Sequence, residues 1–182
     1  MDGRLAAAPE GPTIAPGAPE ADAPERDLRK LAAELRGIVG DEWVFTQEHQ
    51  LRTYESDGLL QYRATPAAAV LPGSAEEVQQ VVAACARAEV PWVARGAGSG
   101  LSGGALPISD GVLIVVARMK RILDIDLANH RICVEPGVTN ANVSAVVGPE
   151  FFYPPDPSSH WPSAASTRAW VTLPSCASTV ST

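Results

Sequence analysis

The chain has 182 residues, long enough for one domain with its own core, and 46% of them are hydrophobic. Gly and Pro are plentiful, at 15 and 16, while aromatics are scarce at 5%, which fits one globular unit with Pro- and Ala-rich ends. A net charge of -7 argues against a nucleic-acid-binding face, because phosphate backbones are held by clustered Lys and Arg, and the chain has no such cluster.

Residues 1–25 alternate Ala, Pro, Gly and Glu without periodicity, a composition with nothing to bury that predicts a disordered tail. From Arg26 the pattern changes. Leu28, Leu31, Leu35 and Ile38, spaced three and four apart, predict a helix with one apolar face, ended by Gly37 and Gly40 and carrying Arg29, Lys30 and Glu34 on its polar side. Such a helix docks on the core. Little periodicity follows up to Arg63, and Tyr54-Glu55-Ser56-Asp57-Gly58 reads as a turn, so 26–63 forms an N-terminal unit of helix and irregular chain.

Ala68 to Leu71 is a short buried strand, and Pro72-Gly73 turns the chain into a helix opened by a capping box, Ser74 with Glu77. Val78, Val81, Val82 and Cys85 are its buried stripe. A strand over Pro91 to Ala94 then delivers Arg95-Gly96-Ala97-Gly98-Ser99-Gly100-Leu101-Ser102-Gly103-Gly104. Val112 to Ala117, the most apolar run, reads as a strand buried on both faces. Ile122 to Asp126 and Arg131 to Glu135 alternate with period two around the turn Leu127 to His130, so they predict a hairpin that Pro136-Gly137 ends. Thr139 caps a short helix through Val143, Val146 and Val147, stopped by Gly148-Pro149, and 151–159 is a stiff proline loop.

So many glycines behind a strand let backbone N–H groups converge with no Cβ in the way, and a nest of such donors is an anion site, here for the phosphate or pyrophosphate of a nucleotide. Ser99 and Ser102 add hydroxyl donors, and Arg95 is either a counter-charge at the rim or the last solvated residue of its strand. Gly98, Gly100 and Gly103 satisfy the letter of G-x-G-x-x-G, with Asp124 and Asp126 downstream, but that fingerprint must open a helix, which Gly103-Gly104 and Pro107 prevent. A P-loop is excluded because no Gly-Lys-Ser/Thr closes the stretch. The plain alternative is a flexible loop with no ligand.

Cys85, Cys133 and Cys176 are odd in number and widely spaced, so a disulfide framework and a C-x-x-C metal clip are both excluded, and a reducing compartment is implied. Cys85 and Cys133 read as packing residues. His49, His130 and His160 share no ligand spacing, so no metal is expected. The N-terminus lacks a basic segment followed by an apolar one, and no run reaches the ~20 apolar residues of a membrane span. The chain is therefore expected in the cytoplasm.

Tyr54-Glu55-Ser56-Asp57-Gly58, the loop from Arg95 to Pro107, Glu135-Pro136-Gly137-Val138 and Tyr153-Pro154-Pro155-Asp156-Pro157-Ser158-Ser159 together resemble the FAD-linked subunits of bacterial glycolate oxidases. These belong to the vanillyl-alcohol oxidase / p-cresol methylhydroxylase superfamily of flavoproteins. The resemblance covers about 41–159 and is specific to the superfamily, less so to the substrate. It implies an α+β fold, the first subdomain of a two-part FAD-binding domain, here a partial one over 64–159. It also implies a cofactor site of Arg95, Gly96, Ala97, Gly98, Ser99, Gly100, Ser102, Gly103 and Gly104 around the FAD pyrophosphate. Glu135, Pro136 and Gly137, with Pro155, Asp156, Pro157 and Ser158, match segments that line the flavin, and each is equally an ordinary strand end or proline turn.

The implied activity is that of a 2-hydroxy-acid oxidoreductase, a glycolate or D-lactate dehydrogenase in which the flavin accepts a hydride from the substrate α-carbon. Implied partners are the small 2-hydroxy acid, a second flavin subunit and an iron–sulfur subunit, through which the protein could be peripheral to the inner membrane. In some superfamily members a histidine at the position of Ser99 bonds the flavin covalently; with serine there, FAD is expected to be held non-covalently. After Ser159 the family continues with a Gly-Gly-Asn segment, a second FAD subdomain and a cap domain bearing the catalytic residues. Here 160–182 is a low-complexity tail rich in Ser, Thr, Ala and Pro, so no catalytic residue can be named and this chain alone is expected to be inactive. A truncation or shifted reading frame near Ser159 accounts for this, as does a natural linker. The competing function is a non-catalytic nucleotide- or flavin-binding module.

Overall fold

The computed structural model describes residues 27–149, Phe151 and Ala169–Thr172. The expected tail over 1–25 lies outside them. The first helix, α1 (Leu28–Val39), starts at Asp27, whose carboxylate accepts from the Lys30 N–H at 2.9 Å. It runs through Gly37, contrary to expectation, because nothing at that position requires a left-handed backbone. Gly40, at φ 94°, ends it. Leu31, Leu35 and Val39 are its buried face.

The stretch 41–63 is more regular than its sequence suggests. A 3-10 turn (Asp41–Trp43) leads into strand β1 (Val44–Phe45), a short helix α2 (Glu48–Leu51) and a second 3-10 turn (Arg52–Tyr54). Strand β2 (Ala68–Val70) is wholly buried, as expected. Ser74 Oγ then accepts from the Glu77 N–H at 3.2 Å to open helix α3 (Ala75–Arg87), while the Glu77 carboxylate accepts from the Gly73 N–H at 2.7 Å. The buried stripe of α3 is Val81, Ala84 and Cys85, with Val78 and Val82 only half-buried.

Strand β3 (Trp92–Arg95) and strand β4 (Val112–Val115) complete a sheet in the order β1-β2-β4-β3, where β2, β4 and β3 are parallel and β1 is antiparallel at one edge. Strand β4 is covered on both sides. Val112 and Ile114 join Leu31, Leu35, Val81 and Cys85 under the helices, while Leu113 and Val115 pack with Leu51, Phe45 and Tyr54 on the other face. The strand stops at Val115, two residues short of the expected end. Val116–Arg118 turns as a 3-10 helix and sends the Arg118 guanidinium back to the Leu71 carbonyl at 2.6 Å and over the Trp43 ring at 3.8 Å.

The predicted hairpin is present as strands β5 (Ile122–Asp126) and β6 (Arg131–Val134). Thr139 Oγ1 accepts from the Asn142 N–H at 3.2 Å to cap helix α4 (Asn140–Val146), whose Val143 packs with Val147, Ile132, Val134 and Val138 in a second core. One element departs from the expected tail over 160–182. Ala169–Thr172 forms strand β7, antiparallel to β6, making a three-stranded sheet β5-β6-β7. The architecture is α+β.

Candidate functional site

The glycine loop leaves β3 at the carboxyl end of the parallel strands, the end at which open sheets of this kind hold ligands. Gly98 (φ 71°) and Gly103 (φ 74°) take the left-handed backbone that the nest reading needs. A Cβ placed on Gly96, Gly100 or Gly104 would meet no atom of the described residues within 4 Å, so neither crowding nor torsion among them accounts for glycine there. Among the described residues, the amides from Ala97 to Gly104 donate to no protein acceptor, and Ala97, Ser99, Gly100, Ser102 and Gly104 are exposed. A run of free N–H donors with two hydroxyls, Ser99 and Ser102, fits a pyrophosphate.

The dinucleotide-fingerprint reading fails on structure as well as sequence. No helix lies between Gly96 and Gly111, and the Asp126 carboxylate is held in the hairpin turn by Asn129 at 2.7 Å and Arg131 at 3.5 Å. Those hydrogen bonds, Asn129 foremost, lower its pKa. Asp126 is a turn residue.

A second segment shapes the loop from behind. Gly58 packs so tightly that a Cβ there would lie 2.6 Å from the Ser99 carbonyl oxygen and 2.8 Å from that of Gly100. Arg95 is not simply a solvated strand end, being half-buried. Its guanidinium runs under the loop, donating to the carbonyls of Tyr54 at 3.2 Å and Ser56 at 2.7 Å, facing the Tyr54 ring at 6.0 Å and lying directly beneath Gly98. Burial lowers its pKa, opposed by the nearby Asp57 and Tyr54. Burial likewise raises the Tyr54 phenol, opposed by Arg95.

Asp57, which sequence reasoning quoted as part of a motif without giving it a role, is only 4% exposed. Its Oδ1 accepts from the Leu59 N–H at 2.8 Å, and its buried Oδ2 has no hydrogen-bond partner among the described residues. A charged residue inside a turn motif was the available signal.

Glu135, Pro136 and Gly137 stand at the same end of the sheet, against the residues that follow β4. The Gly137 N–H donates to the Met119 carbonyl at 2.8 Å, and β4 ends at Val115, the register partner of Arg95. The Glu135 carboxylate, 3% exposed, accepts from the Arg121 backbone at 2.7 Å and pairs with the Arg121 guanidinium at 2.7 Å. That ion pair raises the Arg121 pKa. All three residues are buried, the Glu135 amide donates to the Arg121 carbonyl, and the Glu135 carbonyl accepts from the Val138 N–H, so the acidic side chain and the amides here are engaged within the protein. Pro155, Asp156, Pro157 and Ser158 lie outside the described residues.

Both described cysteines, Cys85 and Cys133, are free and buried, and no group of three or more His, Cys, Asp or Glu able to hold a metal occurs among the described residues. No described helix is long and apolar enough to cross a membrane.

Residues 66–168 match the family model described as FAD binding domain, so the match runs past Ser159, where the sequence reading had ended the resemblance. The chain is 45% identical over 137 residues to the glycolate oxidase subunit GlcD of Escherichia coli K12, covering 75% of this chain and 28% of that protein. To a probable mitochondrial D-lactate dehydrogenase of Danio rerio it is 26% identical, covering 71% of this chain and 26% of that one. Among solved structures, p-cresol methylhydroxylase with substrate bound superposes with a TM-score of 0.60 at 27% identity, covering 68% of this chain and 25% of the other. The chain spans about a quarter of the length of these relatives.

Proposed function

The chain belongs to the FAD binding domain family, and from that premise we propose that it is the flavin-holding portion of an oxidoreductase acting on a small 2-hydroxy acid, glycolate or D-lactate. The observation that carries the reading is the run of unengaged amides from Ala97 to Gly104 at the carboxyl end of β3. Those N–H groups, with the Ser99 and Ser102 hydroxyls, would hold the pyrophosphate. The backbone of Glu135, Pro136 and Gly137 would border the ring, joined by Pro155, Asp156, Pro157 and Ser158. FAD, when bound, supplies the two-electron acceptor that oxidation of a hydroxy acid needs. Likeness to the glycolate oxidase subunit supports the substrate class and membership of a multi-subunit enzyme; the partners we propose are a second flavin subunit and an iron–sulfur subunit, which would place it peripherally at a membrane.

Ser99 fixes how the cofactor is held. A serine hydroxyl is a far weaker nucleophile than an imidazole, so attachment is non-covalent, and acid precipitation of flavin-loaded protein releases all the yellow colour into the supernatant. Colour kept in the pellet contradicts this. The function itself is tested by grafting the matched residues into the Escherichia coli glycolate oxidase subunit in place of their counterparts. The chimera should retain FAD and reduce a dye with glycolate. A soluble chimera without flavin refutes the proposal; one with flavin that ignores both glycolate and D-lactate refutes the substrate class.

A further inference from the structure

Arg95 and Asp57 are two buried or half-buried charges whose neighbours in sequence grip the glycine loop from both sides. Arg95 reaches back across the chain to the carbonyls of Tyr54 and Ser56, and its guanidinium underlies Gly98. Asp57 stands between Ser56, which receives that guanidinium, and Gly58, where the Ser99 and Gly100 carbonyls leave no room for a Cβ. A carboxylate that is 4% exposed, with a buried oxygen that has no hydrogen-bond partner among the described residues, is costly unless a cation compensates it. Arg95 is the cation that donates to Ser56, the residue before Asp57.

We propose that Arg95 and Asp57 form a charge-balanced clasp fixing the shape of the glycine loop, which makes Arg95 a positioning residue. The guanidinium donates to two carbonyls of one loop while supporting the α-carbon of another, which a lysine ammonium, with its compact head, does not reproduce. Asp57 supplies the counter-charge, and its field opposes the effect of burial on the Arg95 pKa. A phosphate docked on the loop would then meet amides whose positions the clasp has already set.

The clasp rests on the reading of this loop as a ligand cradle, but its test needs no bound flavin, so the two fail separately. Backbone 15N relaxation is measured on the chain and on Arg95→Ala, Arg95→Lys and Asp57→Asn. In the wild-type chain the amides of Ser56, Gly58 and Gly96 to Gly98 should have order parameters near ~0.85, falling below ~0.6 in Arg95→Ala, with the amides of β2 and β4 unchanged. Arg95→Lys should recover only part of the order, Asp57→Asn should loosen the same amides, and methylguanidinium in the buffer should restore order to Arg95→Ala. If Arg95→Ala loses order throughout β2 and β4, the lysine and asparagine variants decide instead. Wild-type order at Gly96 to Gly98 in Asp57→Asn and Arg95→Lys, or no rescue by methylguanidinium, overturns the clasp.

Discussion

Gly98 and Gly100 stand two residues apart and separate the shape of the loop from its contacts. At Gly98 a Cβ is penalised by the backbone, φ 71°, and collides with the Arg95 guanidinium. Gly98→Ala should therefore destabilise the fold by about 1–2 kcal/mol for the left-handed torsion alone and weaken FAD binding as well. At Gly100 a Cβ meets nothing in the protein. Gly100→Ala should leave stability within about 0.5 kcal/mol of wild type yet impair FAD uptake, because on the proposed reading the methyl group stands where the pyrophosphate would bind. Thermal melts and flavin-fluorescence titrations read the two effects, and unimpaired uptake by Gly100→Ala would mean that no ligand meets that face. The donors of this loop were legible in the sequence because glycine and serine state their backbone and hydroxyl chemistry locally. The use of Arg95 was not, since its acceptors at Tyr54 and Ser56 lie 41 and 39 residues away.

Elements that carry their own end signals were read correctly, and those fixed by partners were not. Ser74 and Thr139 announce α3 and α4 by a hydroxyl within reach of the first turn. Strand β1 has two residues and β7 exists through its ladder with β6, so neither has a period to detect. The inner face of α3 carries a consequence for pH. Burial pushes the Cys85 thiol up to about 11, from an ordinary value of 9.0. Between those values the unfolded chain loses the proton that the folded chain keeps, so stability is unaffected below about pH 9 and falls progressively towards pH 11. Cys85→Ala should flatten that decline in urea-melt free energies measured across the window. An identical decline in wild type and variant would assign it to other groups. In native protein at pH 8 the Cys85 thiol should also resist a thiol reagent that modifies it after unfolding.

At the scale of the whole molecule, the four-stranded sheet and the three-stranded sheet have separate cores, one under α1 and α3 and one with α4. What joins them beside the candidate site is backbone against backbone. Gly137 follows the end of β6, and a Cβ there would lie 2.6 Å from the Met119 oxygen, 2.7 Å from that of Val116 and 3.0 Å from that of Ala117. Carbonyls of a turn cannot swing aside as a flexible side chain does. Gly137→Ala therefore acts as overpacking, expected to cost about 1–3 kcal/mol, which lowers the melting temperature by about 2–4 °C for each kcal/mol in a chain of this size. Because the residues pushed on follow β4 directly, the displacement reaches the strand paired with Arg95 and should weaken FAD binding. Gly37 supplies the opposite sign from the same chemical change. It lies inside α1 with open space around its α-carbon, so Gly37→Ala should stabilise by about 0.5–1 kcal/mol. Melts of the two variants against wild type should bracket it, and a Gly137→Ala chain that melts with wild type would mean that the carbonyls of 116–119 have room to retreat and that this contact does not fix one sheet against the other.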